Sequence, residues 1–188
     1  MQFISIILFP EFLLTIGTLL ILLISTYIKN SFKFSLYSSI ILLITVAILI
    51  FFNNNINYLN YNYLFSSNLF IKIFKIFIIS SSIICLLISE NYFKDLKLEK
   101  YEIPILISFS ILGMLVMISS NNLMSLYLGA ELQSLPLYVI ASIQKKSLKS
   151  SEAGLKYFVL GTLSSGILLY GCSLIYGFIG STDFNSIQ

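Results

Sequence analysis

Six apolar runs dominate this sequence, at roughly 10–28, 36–52, 70–89, 103–119, 122–143 and 153–178. Each is long enough to cross about 30 Å of hydrocarbon at about 1.5 Å per helical residue, the second near the minimum. A backbone inside lipid must satisfy its own hydrogen bonds, which admits only helices and closed barrels. A barrel needs alternating segments of about ten residues, and these runs are continuously apolar. The expected fold class is all-α: a polytopic bundle of six transmembrane helices, one membrane domain over residues 1–188. The first run lacks a basic leader, is interrupted by Glu11 and outlasts a signal-peptide core. It reads as a retained helix.

Composition closes off other classes. The chain is 57% hydrophobic and 10% charged, with a mean hydropathy of +0.95, where a soluble domain is about 25% charged. Six spans in 188 residues leave no room for a nucleotide-binding or peptidase domain. There is no His and there are two Cys, which argues against a four-ligand zinc, haem or iron–sulfur site, a catalytic triad or an imidazole relay. Cys85 and Cys172 fall inside apolar runs and read as buried thiols. A net charge of +3 is too small and scattered for nucleic-acid binding. Heavy use of Phe, Tyr, Ile, Asn and Lys points to A/T-rich coding DNA, as in many organelles.

The connections divide by charge. The 29–35 turn carries Lys29 and Lys33, the 90–102 loop Lys94, Lys97 and Lys100, and the 143–152 loop Lys145, Lys146 and Lys149. They alternate with the N-terminus, the Asn-rich 53–69 loop (Asn53 to Asn55, with Tyr58, Tyr61 and Tyr63), the 119–122 turn and the C-terminal tail. Basic residues stay on the cytoplasmic or matrix side. The N-terminus is therefore expected outside, with the C-terminus returning outside after six crossings. Lys72 and Lys75 break the pattern: either they snorkel to the outer interface or the third helix starts elsewhere than its apolar run indicates.

Charges within the apolar runs mark the candidate site. Glu11 follows Pro10 at a helix start, where an acid suits the dipole, and reads as a cap or interface residue. Glu131 lies about nine residues into the fifth run, or ~14 Å deep. A charge there costs at least ~2.5–3.5 kcal/mol, so an intramembrane carboxylate is a functional candidate by default. Gly129 and Ala130 admit a close neighbour, Pro136 removes a backbone hydrogen bond, and Gln133 and Ser134 add polar groups. A hydrated carboxylate at a kink suits a proton path. Lys156 is expected in the first turn of the sixth helix, about 5 Å inside the basic face. It would sit roughly 10 Å from Glu131 along the axis, suited to water-bridged coupling across one cavity. Gly154, Gly161, Gly166, Gly171 and Gly177 give the sixth helix a small-residue surface for close packing.

Two blocks carry a family resemblance. One is Glu131-Leu132-Gln133-Ser134-Leu135-Pro136-Leu137-Tyr138-Val139. The other is Glu152-Ala153-Gly154-Leu155-Lys156-Tyr157-Phe158-Val159-Leu160-Gly161, continuing through Ser164-Ser165-Gly166 to Gly180-Ser181-Thr182. The sequence resembles subunit 2 of NADH–ubiquinone oxidoreductase, respiratory complex I, whose bacterial counterpart is subunit N. The likeness is dense over about 121–184 and mostly compositional before it, where Pro10-Glu11 is the main local match.

The resemblance implies an antiporter-like subunit, typically of fourteen helices with two inverted five-helix repeats, and a chain of buried Lys and Glu crossing mid-membrane. Glu131 matches the glutamate of the family's fifth helix and Lys156 the lysine early in the sixth. The implied role is proton translocation as part of an enzyme complex in the mitochondrial inner membrane, with both termini on the intermembrane-space side. No cofactor is implied in this chain; NADH, FMN, Fe–S clusters and ubiquinone belong elsewhere in the complex. Implied partners are the other membrane subunits and lipids. The sequence stops after the sixth helix, where the family continues. A split subunit completed by a second chain is the favoured expectation, ahead of a shortened subunit or a fragment. Two other functions remain open: a purely structural bundle of the same complex, and a subunit of a multi-subunit cation/proton antiporter.

Overall fold

In the computed structural model of the chain, the residues described are 9–28, 31–52, 58–60, 64–96, 98–144 and 146–187. Lys29, Asn53 to Asn55, Tyr61, Tyr63, Lys97, Lys145 and the side chain of Tyr58 lie outside them. The apolar runs become six long helices: α1 (Phe9–Ser25), α2 (Ser31–Phe52), α3 (Leu69–Asp95), α4 (Glu102–Ser119), α5 (Leu123–Ala141) and α6 (Leu148–Ile179). A strand pair, β1 (Tyr58–Asn60) and β2 (Phe65–Ser67), lies between α2 and α3, and a short α7 (Phe184–Ile187) follows α6. Five helices, α2 to α6, are long and apolar enough to cross a membrane. α1 has 17 residues.

Helix ends differ from the hydropathy boundaries where polar residues prolong a helix. α3 runs on to Asp95 because Lys94 pairs with Glu90 one turn earlier at 2.5 Å, the i,i+4 spacing that supports an exposed helix. α6 begins at Leu148, capped by the Ser147 side chain accepting from the Ser150 amide. Its first turns are polar, so hydropathy hides them. The 53–69 connector holds an antiparallel pair in the register Tyr58↔Ser67, Leu59↔Ser66 and Asn60↔Phe65.

α4 is the centre of the packing. It lies against α1, α2, α3 and α5, while α6 packs along α5. The apolar core runs among α1 to α4, with Leu14, Leu36, Leu43, Ile79, Leu86 and Leu115 fully buried. The outward faces are apolar too, as with Ile16, Leu20, Ile41, Phe77 and Leu160. Helices apolar on all sides belong in lipid. There, packing contacts and interhelical polar pairs, not water exclusion, hold neighbours together. Hydroxyls are met locally: Ser35 donates to the Phe32 carbonyl at 2.9 Å and Ser119 to the Leu115 carbonyl at 2.9 Å.

The connections gather at two ends, as their charges predict. At one end the Asn121 amide donates to the Leu64 carbonyl at 2.8 Å and the Leu123 amide to the Thr182 carbonyl at 3.0 Å. Asn122 ties this end together. Its Oδ1 accepts from the Met124 amide at 2.8 Å, and its Nδ2 donates to Thr182 Oγ1 at 2.7 Å and Asp183 Oδ1 at 2.8 Å. At the other end Lys100 donates to the Ile143 carbonyl at 2.5 Å. Asn122→Ala is expected to destabilise the fold by about 2–3 kcal/mol, from a lost cap of ~1 kcal/mol and two hydrogen bonds of ~1 kcal/mol each. Thermal unfolding in detergent checks the size. Earlier protease cleavage near Thr182 checks the location.

Candidate functional site

The site starts from two glycines. A Cβ on Gly113 of α4 would collide with the Gln133 amide nitrogen and lie 2.8 Å from the Gln133 Cα. One on Gly129 of α5 would lie 2.8 Å from the Met117 amide nitrogen. Only hydrogen fits at either position, so the two backbones touch. Gly129 makes the close packing expected of it, against Met117, and its carbonyl lies beside Gly113, a glycine that the sequence does not single out. Glu131 sits two residues from both Gly129 and Gln133, or about 200° round the helix from each. Its side chain therefore leaves α5 on the side away from α4.

Tyr138 lies seven residues further on, almost two full turns, and shares that stripe. Its ring meets Tyr157 edge-on at 4.8 Å and Phe158 at 5.8 Å between centroids, and its hydroxyl lies over Gly161 of α6. Ser142 in turn covers Gly154. This antiparallel register, carried along α5, puts Glu131 level with the segment around Gly166, where nothing would lie within 4 Å of an added Cβ. Gly154 and Gly161 make the expected close contacts; Gly166, Gly171 and Gly177 border open space.

Glu131 is half-buried, and among the described residues its carboxylate has no ion-pair or hydrogen-bond partner. Ser134 donates its hydroxyl to the Glu131 backbone carbonyl at 3.1 Å. Gln133 contributes its backbone to the α4 contact, and its side chain is half-buried. Pro136 is buried, and α5 runs through it unbroken, although the ring removes the N–H that would bond the Leu132 carbonyl.

Lys156 is placed differently from expectation. α6 starts earlier than hydropathy shows, so Lys156 lies in its third turn, not its first. It pairs with Glu152 at 2.6 Å, with its side chain 70% exposed. Two residues beyond Gly154, it sits level with about Ile140, some ~14 Å along the axis from Glu131. The structure does not bring these two residues together. Such an exposed i,i+4 pair contributes about 0.3–0.5 kcal/mol.

The charges expected at the interface form the buried pair instead. Glu11 is 4% exposed and Lys75 7%, and Lys75 Nζ donates to Glu11 Oε1 at 2.5 Å. Glu11 lies in the first turn of α1 as expected, but it is buried there, and Lys75 turns to it rather than outward; each is the other's counter-ion. Lys72 donates to the Phe51 carbonyl at 2.7 Å and sits 5.7 Å from the Phe51 ring centroid. A cation there suits the negative end of α2. The signal in the sequence is an acid and a base near the same ends of two apolar runs, 64 residues apart. Cys172 is buried, whereas Cys85 is exposed on the outward face of α3. Among the described residues no group of Cys, Asp and Glu is gathered for a metal.

The family model for NADH:quinone oxidoreductase and Mrp antiporter membrane proteins matches residues 120–188, the α5–α6 region and tail. NADH-quinone oxidoreductase subunit N of Pelagibacter ubique is 49% identical over 181 residues, 95% of this chain and 38% of the relative. The chain belongs to the subunit N family. Subunit N of Rhodobacter capsulatus is 43% identical over 180 residues, again 95% of the chain and 37% of the relative. The chain thus corresponds to the N-terminal part of subunit N, under two-fifths of its length. The fold agrees with a chain of respiratory complex I from Thermus thermophilus at a TM-score of 0.75 and 20% identity, over 93% of this chain and 38% of that one. An archaeal membrane-bound sulfane sulfur reductase gives a TM-score of 0.73 at 20% identity, over 95% and 38%. These subunit N relatives are bacterial: they place the chain among multi-pass membrane subunits and do not place it in an organelle.

Proposed function

We propose that this chain supplies part of a proton-translocation path in the membrane arm of a proton-pumping NADH-quinone oxidoreductase. The observation that carries this reading is Glu131, a carboxylate in a membrane helix with no partner among the described residues, level with open space beside α6. A charged group in that setting is costly unless water or a neighbouring chain meets it. Its cycle is protonation and release; Gln133 and Ser134 are the nearby polar groups and Pro136 the break in backbone bonding. Lys156, held by Glu152, is assigned the basic-end approach rather than direct coupling to Glu131.

Residues 1–188 are taken as one membrane domain with α1 as a sixth crossing, and both termini on the side opposite the basic loops. The A/T-rich residue usage supports the mitochondrial inner membrane as its location. Redox chemistry with NADH, FMN, Fe–S clusters and ubiquinone is assigned to other subunits. The outward face of α6 is apolar, with Leu160, Leu163 and Ile167 exposed, and a further membrane chain seated beside α6 would cover it.

Glu131→Gln is expected to leave the complex assembled and to lower quinone-coupled pumping about tenfold or more, in keeping with the loss of a proton-transfer group. Proton uptake by inverted vesicles during NADH oxidation measures it. Full pumping in that variant would leave the structural-bundle reading in its place.

A further inference from the structure

The Glu11–Lys75 pair stands apart from the α5–α6 site. α2 and α4 each pack against both α1 and α3, and Lys75 reaches from α3 across this group to Glu11 of α1. Both side chains are more than nine-tenths buried. Only Oε1 of the carboxylate is used. Oε2 is fully buried and, among the described residues, has no hydrogen-bond partner. An unmet buried acceptor costs about 1–3 kcal/mol, and more when charged. In a native interior such an atom is met by a bound water or by a proton.

Polar groups continue from it into the group of helices. Thr18 and Ser25 follow Glu11 on the buried stripe of α1, and Ser39 of α2 and Ser108 of α4 are buried as well. Each donates its hydroxyl to a carbonyl of its own helix, which leaves the hydroxyl oxygen free to accept. Ser110 Oγ of α4 is a further buried polar atom without a partner among the described residues. Of these buried atoms, Glu11 Oε2 and Ser110 Oγ are the ones left without a hydrogen-bond partner among the described residues.

We infer that Glu11 is a second proton-accepting carboxylate of the membrane region, served by water at Oε2, with Lys75 as the counter-ion that positions it. Its cellular role rests on the pumping reading above; its chemistry does not depend on Glu131. A hydrated proton passes to Oε2, forming the O–H bond of a carboxylic acid and leaving neutral water; the reverse step returns it. The pair changes from net zero to +1. Lys72, on the same helix as Lys75 and bonded to the Phe51 carbonyl, is the nearby cation. The facing residues of α2 and α4 at this end, 43–52 and 110–119, include no titratable side chain. The added charge is therefore uncompensated locally, which favours passing the proton on.

The test uses Glu11→Gln in the assembled complex, since Gln keeps the size and accepts from Lys75 but cannot take the proton. Expected are normal assembly, loss of one titrating carboxylic-acid C=O band in infrared difference spectra, and a displaced pH profile of pumping. An unchanged spectrum and pH profile overturn the inference. If Glu11→Gln fails to assemble, the exchanged pair Glu11→Lys with Lys75→Glu decides. Restored assembly with wild-type pumping at every pH means the pair is only structural and overturns the inference. Restored assembly with an altered profile supports it. Glu131→Gln run alongside separates the two readings: loss there with a silent Glu11→Gln sinks this inference alone, and the converse sinks the Glu131 path alone.

Discussion

Gly113→Leu is expected to abolish accumulation of the folded subunit in the membrane. Even the methyl of Gly113→Ala would collide with the Gln133 amide nitrogen and fall 2.8 Å from the Gly129 carbonyl oxygen. These are backbone atoms of a helix that is itself held at both ends. They cannot rotate away as a side-chain tip can, so α4 and α5 must separate. Overpacking costs typically 1–3 kcal/mol, and Gly113→Ala should fall at the upper end of about that range. Leucine adds three more carbons in the same direction. Because α4 also contacts α1, α2 and α3, moving it disturbs the whole core. Gly171→Ala is the control. Nothing lies within 4 Å of that position, and alanine exceeds glycine in helix propensity by ~1 kcal/mol. It should be neutral or stabilising. Thermal unfolding in mild detergent compares the set, and equal stability of Gly113→Ala and Gly171→Ala would refute the backbone contact.

Lys75→Met carries the second large effect. It keeps much of the side-chain length but strands the Glu11 carboxylate in a buried site with neither oxygen met. Removing one partner of a buried ion pair costs about 3–5 kcal/mol. Glu11→Gln should cost less, since the amide oxygen still accepts from the ammonium. The double variant, Glu11→Gln with Lys75→Met, should recover part of what Lys75→Met loses, because no buried charge remains. Unfolding midpoints of the three variants, read as a cycle, give the coupling directly. Independent, additive losses would mean that the two residues do not meet in the membrane.

Both effects concern contacts between helices, and this is where the sequence is least legible. Glu131 stands out in the sequence because the signal lies in its own helix: an acid within a run of apolar neighbours is conspicuous whichever way that helix turns. Gly129 is legible for the same reason. Gly113 is not, since a glycine inside an apolar run has many reasons to be there, and only the approach of Gln133 supplies this one. Glu11 and Lys75 are each conspicuous, yet as single residues they read as end effects, because hydropathy locates a residue along its own helix without naming the helix beside it. The polar opening of α6 shifts the expected position of Lys156. Ser147 and Ser150 start the helix more than two turns before Lys156, where hydropathy still reads a loop.

The sequence by itself determined that the chain is built of long apolar helices, roughly where each lies, and which connections share an end. Those properties are sums along the chain: hydrophobic length against bilayer thickness, and charge at each turn. The tertiary structure decided which polar groups are paired. Glu11 meets Lys75, Lys156 meets Glu152, and the described residues offer Glu131 no partner. Pairing depends on the rotation of each helix about its axis and on which helix stands next to it. In lipid that rotation is set by contacts as local as one glycine against one backbone nitrogen, which no property of a single helix contains.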